Sequence, residues 1–193
     1  MSVQFTLRAD ALPRADRPAA IHAGSAPVEG TPAERWLRRL GLDRPPPEAL
    51  RWRWGRRSAL VAPLTLPDDP KPRAILRVFL LSSGAESRCL PTTLLTGASE
   101  GCAIHLQDGD GPLILCSGLE DAIGRFNDVA GRAARLWAGL DDDHLAEIAL
   151  PTTPGRLLLP ARMEEGARRR LTRRAAAEGW RVSPLPRREG EDR

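Results

Sequence analysis

The sequence predicts an α/β fold in which a parallel sheet with flanking helices forms the C-terminal part of the chain. Two strand–turn–helix patterns lead to this prediction. The first is the apolar run Leu113–Cys116, broken at Ser117 and Gly118 and followed by apolar positions at helical spacing. The second is the apolar run 157–159, followed by a break and a helical pattern over 164–178. Because consecutive units of this kind make parallel strands, we expect any site at the carboxyl ends of those strands.

The N-terminal part begins with a segment of low regularity. Residues 1–30 mix Pro, Ala, Arg and Gly without a sustained period, which predicts a flexible arm with a short strand over 3–7. A helix is predicted from Thr31, since Thr is a good capping residue and Pro32 suits the first helical position. Gly41 is expected to end this helix.

The segment 51–57, RWRWGRR, fits two interpretations. Strict alternation predicts a half-buried strand with Trp52 and Trp54 facing the core, and we favour this interpretation. Interleaved Arg and Trp also suit single-stranded nucleic acid, with phosphates on the Arg side chains and bases stacked on the Trp rings.

An antiparallel β region is predicted between the first helix and the parallel sheet. Turn residues separate its apolar runs, as at Pro67–Pro70. The predicted strands are 59–66, 73–81 and 103–106. The chain is therefore divided into an arm over 1–30, a helix with an antiparallel β region over 31–111, and a parallel domain over 112–193. In the last of these we also expect strands at 136–138 and 181–182, a helix capped by 141–143, and a frayed tail from 184.

Composition excludes several classes of protein. The chain is 41% hydrophobic, which is enough for a core, but it has no apolar run of about 18 residues that could span a membrane. The N-terminus lacks the apolar stretch of a signal peptide. Three cysteines without close pairing fit a reducing compartment, so we expect a cytoplasmic protein.

The net charge of +4 fits nucleic-acid binding. It also fits the Arg-rich, Lys-poor composition of a GC-rich genome.

The order of these segments resembles the Toprim domain, and in particular the primase-like proteins of phages and integrated mobile elements. The resemblance rests on the helix segment 30–52, the strand-like segments 58–62 and 77–80, the Gly-rich segment 97–106, and the two strand–turn–helix units. In that family the first parallel strand ends in Glu-Gly, and a later strand ends in Asp-x-Asp followed by Gly. The resemblance implies that these acids bind a magnesium ion for phosphate chemistry.

This chain departs from the family pattern at all three acidic positions. Ser117 and Gly118 stand where Glu-Gly is expected. If Gly166 is the Gly after the acidic motif, Ala161 and Met163 occupy the two Asp positions. Magnesium requires oxygen ligands, and Ala and Met supply none. We therefore expect no bound metal or other cofactor, unless Glu120, Asp121 or Glu164 serves as a substitute ligand.

The leading hypothesis is a pseudoenzyme, that is, a primase-related accessory of replication that associates with nucleic acid. Its partners would be DNA or RNA, or a replication protein such as a helicase, and no membrane. The predicted nucleic-acid contacts are on the last helix: Arg168, Arg169, Arg170, Arg173 and Arg174. Three alternatives remain open. They are an active magnesium-dependent primase or nuclease that uses substitute acids, a protein-interaction module without nucleic-acid contact, and a relict without selected activity.

Overall fold

The structure, a computed structural model, describes residues 17–87 and 91–186. Those residues form five α-helices: α1 (Arg17–Ala23), α2 (Pro32–Arg39), α3 (Leu119–Val129), α4 (Asp142–Glu147) and α5 (Glu165–Ala177). Their strands are β1 (Arg51–Arg53), β2 (Ala59–Leu66), β3 (Asp69–Phe79), β4 (Thr93–Gly97), β5 (Ile104–Gln107), β6 (Leu113–Cys116), β7 (Arg135–Ala138), β8 (Arg156–Leu159) and β9 (Arg181–Pro184).

The strands form two sheets, as the predicted α/β class requires. The first is antiparallel, with the order β1-β2-β3-β4. The second has the order β5-β7-β6-β8-β9, and it is parallel except for β5, which runs antiparallel to β7. The predicted strands and helices of the C-terminal part are confirmed, with ends that differ by one or two residues.

Local sequence signals explain the start of α2. The Thr31 hydroxyl accepts a hydrogen bond from the Ala33 amide at 3.2 Å, and the Glu34 carboxylate accepts one from the Gly30 amide at 2.7 Å. The first bond satisfies an amide that the first helical turn leaves without a partner, and the second ties Glu34 to the residue before the cap. Gly41 follows the helix with a φ of 93°, a conformation that favours glycine. The predicted helix and its ends are confirmed.

The segment 17–30 is not a flexible arm, contrary to the prediction. Residues Arg17–Ala23 form α1, and Ile21 packs with Val61 and Ile75 on one face of the antiparallel sheet. Ala26 then pairs with Trp52, through backbone hydrogen bonds of 2.8 and 2.7 Å. Short helices with few apolar positions leave a weak periodic signal, so tertiary contacts decide their structure. The predicted strand over 3–7 lies outside the described residues.

Two strands differ from the prediction in position or partner. β4 was not predicted, because its Leu94 and Leu95 are both exposed and give no apolar alternation. The segment predicted as the last antiparallel strand forms β5 and joins the second sheet, where Ile104 pairs with Ala138. A strand has the same side-chain period in either sheet, so the pattern alone does not indicate its partner.

One hydrophobic core connects the two sheets. It contains side chains from α2, from the antiparallel sheet, from α3 and from one face of the second sheet, including Leu37, Leu60, Ile104, Ile114 and Ile123. A second core lies on the other face of the second sheet, beneath α4 and α5. One face of the second sheet is therefore covered by α3 together with α2 and the antiparallel sheet, and the other face by α4 and α5.

The C-terminal segment is ordered further than predicted. The strand β9 extends to Pro184, and Leu185 is buried, with its amide donating to the Leu159 carbonyl at 2.7 Å. The Arg125 guanidinium donates to the Pro186 carbonyl at 3.0 Å. The rest of the predicted frayed tail, 187–193, lies outside the described residues. Within 17–87 and 91–186, no helix has the length and apolarity needed to cross a membrane.

Candidate functional site

The carboxyl ends of β6, β7 and β8 meet at one edge of the second sheet, called here the carboxyl edge. Ser117 follows β6, Asp142 begins α4 after β7, and Glu164 precedes α5 after β8. The Ser117 hydroxyl donates to one oxygen of the Asp142 carboxylate, and the other oxygen accepts from the Glu164 amide at 2.6 Å. The segments that follow the three parallel strands are thus joined through one half-buried carboxylate.

Asp142 is a site residue that the sequence analysis missed. The sequence pattern predicts residues 141–143 only as a helix cap, and Asp141 does cap α4, since its carboxylate accepts from the His144 amide at 2.8 Å. Asp142, one residue later, turns to the carboxyl edge instead. The signal that could have indicated Asp142 is the run of three acids shortly after a parallel strand, because the carboxyl ends of such strands are the usual position of a site.

The three positions that the resemblance assigns to acids differ in their surroundings. Ser117 is half-buried and bonded to Asp142, whereas Ala161 is exposed. Met163 is 5% exposed and packs in the core beneath α5, so its side chain contributes no ligand to the carboxyl edge. In the described ranges, no group of three or more His, Cys, Asp or Glu side chains is arranged to hold a metal ion.

Of the three substitute acids, the structure places Glu164 at the carboxyl edge. Its carboxylate caps α5 by accepting from the Ala167 amide at 2.6 Å. Hydrogen bonds from the Gly166 and Ala167 amides lower the pKa of Glu164, so the side chain is ionised at neutral pH. Glu120 and Asp121 are exposed in the first turn of α3. Among the described residues, no hydrogen bond joins Glu120 to Ser117, Asp142 or Glu164.

Two of the five arginines of α5 hold the backbone of the protein. The Arg168 guanidinium donates to the carbonyls of Pro160 and Ala161, at 2.9 Å for Ala161, and so fixes the turn between β8 and α5. The Arg174 guanidinium donates to the Ile148 carbonyl after α4. Both side chains are half-buried and already hold backbone carbonyls, a structural role that the sequence did not indicate. This role competes with their predicted role as phosphate contacts.

The other three arginines of α5 face solvent. Arg169 pairs with Glu165 at 2.8 Å, and Arg170 pairs with Asp143 at 2.5 Å. The arginine side chains of these pairs remain 73% and 51% exposed. Arg173 is exposed and has no ion pair or hydrogen bond to the residues that the structure describes. Exposed ion pairs contribute about 0–1 kcal/mol each to the stability of the fold. A phosphate could therefore replace these carboxylates as the partner of the arginines at little cost in stability.

Comparison with known proteins gives one partial match. A family model described as "Domain of unknown function (DUF7146)" matches residues 13–106, just under half of the chain. The matched segment contains α1, α2, the antiparallel sheet and most of β5, and it ends before the strands of the carboxyl edge. No curated protein and no solved structure matches the chain. Over its N-terminal part, the chain is therefore similar to a family whose description assigns no function.

Proposed function

We propose that this chain is a primase-related protein of the Toprim type, with a degenerate metal site, that acts as a nucleic-acid-associated accessory in replication. Such proteins are expected in phages and mobile elements. The observation that carries the proposal is the composition of the carboxyl edge. Two strand–turn–helix units meet there. The positions that the resemblance assigns to acids hold Ser117, Ala161 and the buried Met163.

The carboxylates at the carboxyl edge are better suited to holding the protein's own groups than to binding a metal ion. Magnesium takes several oxygen ligands in near-octahedral geometry, and in phosphate chemistry it neutralises the charge that develops on phosphate oxygens. Both oxygens of Asp142 already accept hydrogen bonds, from Ser117 and from the Glu164 amide. The Glu164 carboxylate caps α5. A metal ion would have to displace these bonds, so the edge favours a non-catalytic role.

Nucleic-acid association is supported by the exposed cations of α5. Arg169, Arg170 and Arg173 lie within two turns of one helix, and their guanidinium groups are accessible. The net charge of +4 adds a general attraction for phosphate. A protein that neutralises phosphates releases condensed counterions, so binding through these residues requires a strong dependence on salt.

The decisive experiment measures metal binding and catalysis on the same purified protein. Magnesium and manganese are titrated to millimolar concentration by calorimetry, alongside primer-synthesis and nuclease assays. We expect no specific metal binding, no primer synthesis and no cleavage, because the acids at the carboxyl edge are held by internal hydrogen bonds.

The matched variants for this experiment are Glu164→Gln and Glu120→Gln. If the unmodified protein has metal-dependent activity and either variant abolishes it, the substitute-acid hypothesis is correct and the proposal is wrong. Asp142→Asn serves as a third variant, because it removes the charge with little change of shape: the Asn oxygen can still accept from the Glu164 amide, and its NH2 group can donate to the Ser117 oxygen.

A further inference from the structure

A groove beside Trp54 is the one place where a large aromatic ring meets solvent in the described residues. The strand β1 ends at Arg53, so Trp54 does not face the core as the strand prediction required, and it is 65% exposed. The four other tryptophans are buried. One of them, Trp52, forms a T-shaped contact with Trp54, with ring centroids 5.3 Å apart and an interplanar angle of 89°. This contact positions the Trp54 ring while leaving most of its surface in water.

The groove, here the Trp54 groove, has a volume of about 380 Å³ and carries two cations. Arg56 is exposed and makes no ion pair or hydrogen bond with the described part of the chain. The Arg57 guanidinium lies 3.9 Å from the centroid of the Phe79 ring and donates to the Pro91 carbonyl at 2.5 Å, so its position is fixed. Leu81, at 47% exposure, adds apolar surface to the lining.

The charge of the lining distinguishes this groove from the larger cavities of the described ranges. Among the described residues, its lining contains Arg56 and Arg57 but no carboxylate. The cavity at the start of β3 combines Arg73 with Asp69, and the cavity near β7 combines Arg135 with Asp108. Glu86 pairs with Leu80 of the lining but directs a carboxylate oxygen to the Trp36 indole nitrogen at 3.2 Å. The Trp54 groove is therefore suited to an anionic ligand with an apolar, planar part.

We propose that the Trp54 groove binds single-stranded nucleic acid, with one base stacked on the Trp54 indole and neighbouring phosphates on Arg56 and Arg57. Every base has a π-face, so stacking of this kind requires unpaired bases and tolerates any sequence. In a duplex the bases already stack on each other and cannot reach the ring. The inference rests on the proposed nucleic-acid association, but it uses residues far along the chain from the arginines of α5, so the two can fail separately.

The test measures binding of a labelled oligothymidylate of about 12 nucleotides by fluorescence anisotropy at low salt. Trp54→Phe retains an aromatic face. Trp54→Leu retains apolar bulk but removes the aromatic face. Stacking on an aromatic side chain contributes about 1–3 kcal/mol per base, so Trp54→Leu should weaken binding roughly 5- to 150-fold and Trp54→Phe far less. The matched duplex should bind less tightly than the single strand.

The charge contribution has its own pair of variants. Arg56→Gln should weaken binding and reduce the dependence on salt, because one phosphate contact is lost. Arg132→Gln removes the same charge from an exposed site between α3 and β7, and it should leave binding unchanged. Because Trp54 is the one exposed tryptophan of five, binding should also quench tryptophan fluorescence in the unmodified protein and not in Trp54→Phe.

Each outcome separates the groove from the broader proposal. Equal binding by Trp54→Leu and the unmodified protein would overturn the Trp54 groove, and so would an equal loss in Trp54→Phe and Trp54→Leu. If binding then depended on Arg169, Arg170 and Arg173, nucleic-acid association would stand without the groove. An unmodified protein that binds the duplex at low salt but not the single strand would overturn the groove alone, whereas binding of neither would overturn both. Thermal unfolding of each variant confirms that the fold is intact.

Discussion

Ala161 and Met163 are two residues apart, yet their side chains have opposite surroundings. Ala161 is exposed after β8, whereas Met163 is 5% exposed and contacts the core that α5 covers. A carboxylate at position 161 would remain hydrated. A carboxylate at position 163 would be buried without a partner, and that is costly.

The first residue-scale prediction compares these two positions. Ala161→Asp should change the free energy of unfolding by no more than about 0.5 kcal/mol, as for most exposed substitutions. Met163→Asp should lower it by about 3–5 kcal/mol, through a lost apolar contact and an unpaired charge. Urea unfolding measures both, with Met163→Leu as a control that conserves volume. Equal effects of the two Asp variants would show that Met163 is not buried as described.

The residues of the site also show what a sequence can reveal. Ser117, Ala161 and Glu164 could be assigned to the ends of strands, because a strand and its following turn are recognised within a few residues. The position of Asp142 between Ser117 and Glu164 depends on where three separate strands come together. The exposure of Trp54 depends on the residue at which β1 ends, and alternation in sequence predicted the opposite.

At the scale of the element, α5 divides its arginines between structure and surface. Arg168 and Arg174 hold neighbouring carbonyls, while Arg169, Arg170 and Arg173 are accessible to a phosphate backbone. We predict that replacing the three accessible arginines by Gln reduces the slope of log K against log salt by about 2 for a single strand, since about 0.7 counterions are released per phosphate. Anisotropy measurements over a range of salt concentrations give the slope.

The control for α5 removes the same charge from the amino ends of the strands of the second sheet. Arg132, Arg156 and Arg181 are exposed and lie before or at the amino ends of β7, β8 and β9. Replacing these three by Gln should leave the slope unchanged. If both triple variants show the same slope, net charge rather than α5 governs binding.

The elements that the sequence predicts well are those with local signals. The helix α2 has its cap and its terminal Gly within a dozen residues, and α3 and α5 have apolar positions that repeat at helical spacing. The edge strand β4 has neither, because Leu94 and Leu95 are exposed on both of its faces. The partner of β5 is a long-range choice between two sheets, which no short pattern determines.

At the scale of the whole molecule, His105 lies where the two sheets meet. Its ring stacks on Trp137 of β7, with centroids 3.9 Å apart, and its Nδ1 lies 3.3 Å from the hydroxyl of Thr65 in β2. Burial lowers the pKa of His105 from 6.5 to about 4, with Asp108 acting in the opposite direction. Between these two pH values the unfolded chain binds a proton that the folded protein does not.

We therefore predict that the free energy of unfolding falls as the pH drops from 6.5 towards 4, and that His105→Phe reduces this loss. Phe retains the stack on Trp137 and cannot titrate. Urea unfolding near neutral pH and near pH 5 measures the effect. Thr65→Val removes the hydrogen bond but leaves the imidazole, so its effect should depend little on pH. An unchanged pH dependence in His105→Phe would contradict the prediction.

The strand β5 also bears on how such a chain could evolve by exchange of parts. By sequence β5 belongs almost wholly to the segment that the family model matches, but by hydrogen bonding it belongs to the second sheet. Recombination near residue 110 would separate Ile104 and His105 from Ala138 and Trp137, their partners in β7. A new C-terminal part would fold onto the old N-terminal part only if it supplied a strand in that register. The junction therefore restricts which C-terminal domains this N-terminal part can acquire.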